Sequence, residues 1–229
     1  MENLVEVLRQ APLFSSLTRK EIDLLAASAV RAGFTRKETV FRPGAPMDAV
    51  YLLVNGGIKV SKSNDRDLCF ILDIYRPGEV IGEESLTHAS SHDTEARPLD
   101  QASLIKLDVK VLQKIMEENP RFARACLQLA AERARLFREK VEDLIFKEVP
   151  SRLAAALLKL SRNFGRRDKQ GTLIAARITH QDLADYVGAS RETVSLALGQ
   201  MRRKKLLKMN VRQFILPDPK ALRKNTDGA

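Results

Sequence analysis

The segment Ile178-Thr179-His180-Gln181-Asp182-Leu183-Ala184-Asp185-Tyr186-Val187-Gly188-Ala189-Ser190-Arg191-Glu192-Thr193-Val194 constrains this chain more than any other stretch. It reads as a helix, a tight glycine-containing turn and a second helix. Thr179 suits the N-cap of the first helix, whose Leu183, Ala184 and Val187 share one face at helical spacing. Gly188 can take the left-handed conformation that ends a helix and turns the chain. Ser190 suits the cap of the second helix, whose Val194, Ala197 and Leu198 face back on the first. Ala184 falls where the two helices cross closely, so a large side chain there would push them apart. Arg191, Glu192, Thr193 and Ser195 are left at the exposed N-terminal end of the second helix, where a recognition helix meets base edges in the major groove. With Ser190 and with Thr179, His180 and Gln181 at the start of the first helix, they form the candidate nucleic-acid-contact set. The competing reading is an ordinary helical hairpin whose Arg and Glu are merely solvated.

Charge weighs against that alternative. The chain carries 39 Lys and Arg against 29 Asp and Glu, a net of +10. Residues 150–229 hold 17 basic and 6 acidic side chains, whereas residues 1–149 hold 22 and 23. A basic C-terminal part beside a near-neutral N-terminal one is the electrostatic footprint of a DNA-binding domain attached to something else. Within the run Arg202-Arg203-Lys204-Lys205, Arg202 and Lys204 are candidates for phosphate contacts, which position a protein without reading sequence. A solvated helix end complementing the dipole is compatible with the same run.

At 229 residues and 44% hydrophobic content the chain suits one large or two modest globular domains. No apolar run approaches membrane-spanning length, and Met1-Glu2-Asn3-Leu4 does not open a basic-then-apolar leader, so the reading is cytoplasmic, with no membrane partner. Cys69 and Cys126 are isolated, which fits a reducing compartment and excludes paired-cysteine metal sites. Each lies in an apolar pattern and reads as a core thiol. With three histidines, and no nucleophile–base, paired-carboxylate or phosphate-loop arrangement at useful spacing, the sequence does not read as an enzyme.

Residues 4–32 read as helical, with Thr18 and Glu21 spaced as a capping box. From Phe34 the period changes to short apolar runs at 39–41, 50–54, 57–60 and 68–72. Turn signals separate them: Arg42-Pro43-Gly44, Asn55-Gly56-Gly57, Ser63-Asn64-Asp65 and Arg76-Pro77-Gly78. Further strands are expected at 79–81 and 102–107, giving an antiparallel barrel or sandwich. A long helix opens at Asn119-Pro120. Its apolar seam is Ala123, Leu127, Ala130, Ala134, Phe137, Val141 and Leu144, stepped by alternating fours and threes as in a coiled coil. The seam either packs on its own barrel or joins two copies. The helix exceeds what a small barrel covers, so Leu127, Ala130, Ala134, Phe137, Val141 and Leu144 are read as a homodimer interface. Pro150 is expected to break the helix and mark a hinge, with 152–164 opening the next domain.

In this order of elements the chain resembles the cyclic-AMP receptor protein / fumarate–nitrate reductase regulator (CRP/FNR) superfamily of bacterial transcription regulators. The resemblance covers almost the whole chain. It shows in Pro12-Leu13-Phe14, in Phe41-Arg42-Pro43-Gly44 and in Arg76-Pro77-Gly78-Glu79-Val80-Ile81-Gly82-Glu83, and most strongly in 179–188 with Ser190-Arg191-Glu192-Thr193-Val194. Leu206-Leu207-Lys208 and Gln213-Phe214-Ile215-Leu216 look like the strands of the family's wing. The fold implied is α+β: a cyclic-nucleotide-binding-like β-roll (jelly roll) with flanking helices over 1–118, a long dimerisation helix and hinge over 119–149, and a winged helix–turn–helix over 150–229. The partners implied are double-stranded DNA with a palindromic site, RNA polymerase and a second copy of the chain. By the same resemblance Arg191 contacts a guanine and Glu192 a cytosine in each half-site, pairings that suit Arg and Glu chemically. The third reading position, often Arg in the family, is Leu196 here.

The effector site implied by the resemblance comprises Gly82, Glu83, Glu84, Ser85, His92, Asp93, Thr94, Arg133, Phe137 and Arg138. Gly82 and Glu83 match a pair that holds ribose in cyclic-AMP-binding members, and Arg133 matches a family arginine on the long helix. The loop His88-Ala89-Ser90-Ser91-His92-Asp93-Thr94-Glu95 lacks an arginine before Arg97, and Phe137 and Arg138 replace two hydroxyls. A cyclic phosphate needs a donor fork and would be repelled by Asp93 and Glu95, so cyclic AMP is disfavoured. The alternatives left open are another small-molecule effector, a cyclic nucleotide after all, or haem on His88 or His92 in a gas- or redox-responsive (NO or CO) regulator, set against plain solvent-exposed loop histidines.

Overall fold

The N-terminal segment folds as two short helices rather than one continuous run. The structure is a computed structural model and describes residues 4–65, 68–87, 90–210 and 213–224. Helix α1 (Leu4–Gln10) leads through a 3-10 turn at Pro12–Phe14 to α2 (Arg19–Ser28). The Thr18–Glu21 capping box starts α2, with the Thr18 amide donating to the Glu21 carboxylate at 2.6 Å. Residues 30–32, expected to be helical, instead belong to β1 (Val30–Phe34). The backbone turns extended at Ala29, and the strand's amides are satisfied by a neighbouring strand.

The strands β2 (Ala49–Asn55), β3 (Ile58–Ser63), β4 (Cys69–Tyr75), β5 (Val80–Ile81), β6 (Glu95–Pro98) and β7 (Ala102–Asp108) complete two antiparallel sheets, ordered β1-β7-β2-β5 and β4-β3-β6. Along β2 and β7, Val50 lies opposite Leu107 and Leu52 opposite Ile105, and all four are buried. Gly56 turns the chain at φ +88°, and a Cβ there would come 2.2 Å from the Gln101 carbonyl oxygen, so glycine is required on both counts. The run 39–41 forms no strand; Phe41 makes an isolated bridge to Ala96. Strand β6 was not expected, because its charged and proline residues hide a period of two.

Helix α3 (Val109–Glu118), also unforeseen, is capped by Asp108, whose carboxylate accepts from the Lys110 amide at 2.7 Å. Asn119 then caps α4 (Pro120–Phe146), accepting from the amides of Arg121 and Phe122 at 3.0 and 3.1 Å. The Asn119 side chain also donates to Glu21, tying the starts of α2 and α4 together. Leu8, Phe14, Ile22, Leu25, Leu112, Ile115 and Phe122 bury their side chains against Val50, Leu52, Ile105 and Leu107. At about 1.5–3 kcal/mol for each large apolar side chain, this cluster holds helices and sheet together.

The chain divides into two compact units, Met1–Lys62 with Asp73–Leu136, and Ser63–Leu72 with Phe137–Ala229. The second contains α5 (Val149–Phe164), β8 (Gly165–Asp168), β9 (Gly171–Ile174), α6 (His180–Val187), α7 (Arg191–Arg203), β10 (Lys208–Asn210), β11 (Gln213–Leu216) and α8 (Pro219–Arg223). The expected break at Pro150 falls earlier. Helix α4 ends at Phe146, and Pro150 sits in the first turn of α5, where its missing amide costs nothing. The sheet beside the helices has four strands ordered β10-β11-β9-β8, two of them ahead of α6 and unforeseen; its third member begins at Lys208, so Leu206 and Leu207 precede the strand. Arg152 closes two helix ends at once. It donates to the carbonyls of Lys147 (2.6 Å) and Leu144 (3.4 Å) and to those of Val187 (2.9 Å) and Gly188 (3.3 Å). Among the described residues no helix is long and apolar enough to cross a membrane.

Candidate nucleic-acid interface and effector cluster

The helix pair of the second unit is fixed by caps at three of its ends. Thr179 caps α6: its Oγ1 accepts from the Asp182 amide at 3.0 Å, and the buried Asp182 carboxylate accepts from the Thr179 amide at 2.9 Å. Gly188 ends α6 at φ +65°, and a Cβ there would stand 2.9 Å from Leu144 Cδ2. Ser190 caps α7, accepting from the Thr193 amide at 3.1 Å. Leu183, Ala184, Val194 and Leu198 are fully buried, so the contact face of the two helices is the one their spacing predicts.

That packing leaves a defined outer surface. Gln181, Ser190, Arg191, Glu192, Thr193, Arg202 and Lys204 are exposed. Thr179, His180 and Ser195 are half-buried, and the His180 ring meets the Ser195 hydroxyl at 2.9 Å. Burial, helped by the charge of Arg191, lowers the His180 pKa and so favours the neutral ring. The Glu192 carboxyl is held below its usual range, first by its own backbone amide and then by Ser190, so it presents an acceptor at the helix N-terminus. Arg191 beside it presents a planar donor fork.

In the first unit two of the candidate effector residues, Glu83 and Arg133, meet in an ion cluster. Arg133 on α4 donates from Nε to Glu83 at 3.1 Å, lies 3.6 Å from Asp73 and stacks 4.4 Å above the Tyr75 ring. Glu83 opens the 3-10 turn after Gly82, and its second carboxylate oxygen is buried without a hydrogen-bond partner. Burial first, and the neighbouring Glu84 second, raise its pKa to about 7, against the pull of Arg133. Ser85 is buried and donates to the Ala49 carbonyl at 3.2 Å, while Glu84 stays exposed. His92 is buried and stacks on Phe41, centroids 3.8 Å apart and nearly parallel; burial lowers its pKa.

Asp93 and Glu95, expected to repel an anion, each carry a cation: Lys62 meets Asp93 at 2.6 Å, and Arg97 meets Glu95 at 2.8 Å. Lys62 also holds the Asp93 pKa low. Thr94 is half-buried, and Phe137 and Arg138 are exposed on the α4 stretch that belongs to the second unit. His88 lies outside the described residues. Both cysteines are half-buried rather than buried, and burial raises the Cys126 thiol to about 11, out of thiolate range at neutral pH. Sequence reasoning missed Asp73, Tyr75 and Lys62, which no motif marks, since their partners lie far away along the chain.

Comparison with known proteins matches both parts of the chain to family models. Residues 32–119 match the family model for a cyclic nucleotide-binding domain, and residues 151–225 that for a Crp-like helix-turn-helix domain. The global nitrogen regulator of Synechococcus elongatus is 31% identical over 191 residues, covering 82% of this chain and 86% of that one. The chain belongs to the CRP/FNR family of transcription regulators. Another relative in the family, a CRP-like cAMP-activated global transcriptional regulator of Mycobacterium tuberculosis, is 27% identical over 217 residues, 95% of this chain and 97% of that one. Among solved structures, FixK2 from Bradyrhizobium japonicum superposes with a TM-score of 0.79 over 88% of this chain and 98% of that one. At 24% identity that likeness speaks for the fold alone. The CRP/FNR architecture is thus present: an N-terminal cyclic-nucleotide-binding β-roll, a long helix and a C-terminal helix–turn–helix.

Proposed function

We propose that this CRP/FNR regulator works as a homodimer that reads a palindromic DNA site with α7 and is governed by a small effector held in its β-roll. The division of labour is residues 1–118 for sensing, 119–149 for dimerisation and 150–229 for DNA. The observation that carries the reading is the outer end of α7: Arg191 and Glu192 stand exposed and side by side, with exposed Arg202 and Lys204 at its other end. Arg191 suits a guanine and Glu192 a cytosine amino group, while Arg202 and Lys204 suit phosphates. Dimerisation is supported by the α4 seam, where Leu127, Ala130, Ala134, Phe137 and Val141 are all exposed. An apolar stripe of this length, open to water in one chain, calls for a partner, and a symmetric partner matches a palindrome.

For the effector, the supporting cluster is Glu83, Arg133, Asp73 and Tyr75, with Gly82 and Ser85 in the same turn as Glu83. Arg133 is already shared by two carboxylates and Arg97 is held by Glu95, so neither of these arginines offers a free donor fork to a cyclic phosphate; the reading favours another small molecule. The stack of His92 on Phe41 favours packing over iron ligation. RNA polymerase is the partner through which a DNA-bound dimer would act.

The deciding experiment is selection of duplexes from a random library by the full chain, followed by binding measured across a salt series. Enrichment of a twofold-symmetric motif with steep salt dependence is the expected result. Equal binding to selected and random duplexes would overturn the reading.

A further inference from the structure

Helix α7 carries two residues that the protein's own packing does not explain. Val194, Ala197, Leu198 and Met201 are buried and form its inner face. At 3.6 residues per turn the opposite face runs through Glu192, Leu196, Gly199 and Arg203. Leu196 is 62% exposed in the middle of this line. Gly199 lies one turn further on, and a Cβ built there meets nothing within 4 Å. Glycine inside a helix weakens it relative to alanine, and here no protein atom needs the space. A lone exposed leucine is ordinary on a protein surface. A leucine and a glycine at successive turns, between Glu192 and Arg203 on the face turned away from the core, have a shared explanation outside the chain.

We infer that Leu196 reads the 5-methyl group of a thymine in each half-site, and that Gly199 lets the middle of α7 approach the floor of the major groove. The inference rests on the proposed DNA reading and deepens it. Thymine is the only base of DNA that offers a methyl group in the major groove, and an aliphatic side chain is its complement. Leucine has no donor or acceptor, so it cannot read a hydrogen-bonding edge; it reports the methyl or nothing. The missing Cβ at Gly199 shortens the distance at which backbone and base edges meet, as glycines do where a main chain closes on a ligand. Arg203 at the end of the line and the basic run that follows it supply the phosphate contacts that hold the helix at that depth. The half-site is therefore read in two chemistries: hydrogen bonds at the N-terminal turn and an apolar contact one turn later.

Uracil substitution isolates the methyl group, because it removes that group and leaves every hydrogen bond in place. Duplexes selected by the full wild-type chain are resynthesised with each thymine of the half-site replaced in turn by uracil. At one thymine next to the guanine–cytosine pairs, wild-type affinity is expected to fall about fourfold, the value of one buried methyl. Leu196→Ala should bind the thymine and uracil duplexes alike. Leu196→Arg, selected afresh, should prefer guanine at that position. Gly199→Ala should weaken binding to every duplex several-fold while raising the melting temperature of the free protein, the opposite of what a packing role would give. A selected motif with no uracil-sensitive thymine overturns the role of Leu196, and unchanged DNA affinity of Gly199→Ala overturns that of Gly199; both leave the DNA reading standing. Failure to select any motif would overturn the DNA reading and this inference together.

Discussion

The guanidinium of Arg152 donates to the carbonyl of Val187 at 2.9 Å while another of its nitrogens holds the Lys147 carbonyl at 2.6 Å, so one side chain satisfies the C-terminal ends of both α4 and α6. The last carbonyls of a helix have no partner within it, and a charged fork is a stronger substitute than water. Arg152→Gln is expected to cost about 2–3 kcal/mol in urea unfolding of the full chain, because several half-buried acceptors lose a charged donor. Arg152→Lys should recover only part of this, since an ammonium cannot span both helix ends as a planar fork does. An Arg152→Gln variant as stable as wild type would mean that the carbonyls find other donors.

Lys140 makes a second junction in the same unit. Its ammonium donates to the carbonyls of Ile71 and Leu72 at 2.6 and 3.0 Å and lies 3.7 Å from the centroid of the Tyr186 ring. A double-mutant cycle with Lys140→Met and Tyr186→Leu should give a coupling of about 0.5–1 kcal/mol from the cation–ring contact. Additive effects of the two changes would show that the ring contributes nothing to holding the ammonium. The carbonyl contacts are separate from this coupling and appear in the Lys140→Met single variant.

How legible such junctions are depends on how local their causes are. The helix–turn–helix was readable because every determinant sits within a few residues of its effect: the Thr179 and Ser190 caps, the Gly188 turn, the small Ala184 and the apolar positions between them. The paired runs at 50–54 and 102–107 announced themselves in the same way through their apolar character. Strands β6 and β8 did not, because charged residues fill half or more of each, and β9, four residues with no charge, is too short to show a period. The cap of α3 lies in Asp108, a residue that also ends β7, so the change from strand to helix leaves no gap to notice. At the candidate effector cluster, Glu83 and Arg133 could be matched through the family. Asp73, Tyr75 and Lys62 could not: α4 packing on β4 brings the first two to Arg133, and the β3–β6 pairing brings Lys62 to Asp93.

Glu83 gives the first unit a pH dependence with a definite sign. Burial raises its folded pKa to about 7 from an ordinary 4.5. Below pH 4.5 both the folded and unfolded chains keep the proton, so the shift costs nothing. Between pH 4.5 and 7 the unfolded chain releases a proton that the folded chain retains, and stability falls as pH rises. Above 7 both forms are ionised and the loss is complete, at about 3 kcal/mol for a shift of this size. Glu83→Gln should flatten the melting temperature over this window, with little change at pH 4. If wild type and Glu83→Gln lose stability in parallel from pH 5 to 7, another group carries the titration.

The α4 seam can be tested by a single charge. Phe137 is 53% exposed, between Ala134 and Val141 on the apolar stripe. In an isolated chain Phe137→Asp gives up only the covered half of the ring and should lower stability modestly. In a dimer it places two carboxylates near the symmetry axis of an apolar interface, where unpaired charge is costly. Sedimentation of the wild type is expected to report a dimer and that of Phe137→Asp a monomer, with loss of high-affinity binding to the selected duplex. A Phe137→Asp protein that stays dimeric would place the interface elsewhere.

If α7 reads DNA as proposed, the contacts that read sequence and those that only hold phosphate lie at its opposite ends. Lys204 follows the last turn of the helix and is exposed; a recognition helix meets base edges with its N-terminal residues, so this end suits a phosphate. Lys204→Ala should weaken selected and random duplexes by the same factor and lower the salt slope of binding by about 1 for each half-site, the signature of one lost phosphate contact. Glu192 is an exposed carboxylate at the opposite end, which on the proposed reading accepts a hydrogen bond from cytosine. Glu192→Ala should leave the salt slope nearly intact and relax discrimination at one base pair of each half-site by about 1–3 kcal/mol. Measuring both variants against the same duplex panel distinguishes the roles. If Glu192→Ala weakens all sequences equally, or Lys204→Ala alters base preference, α7 does not enter the groove by its N-terminal end.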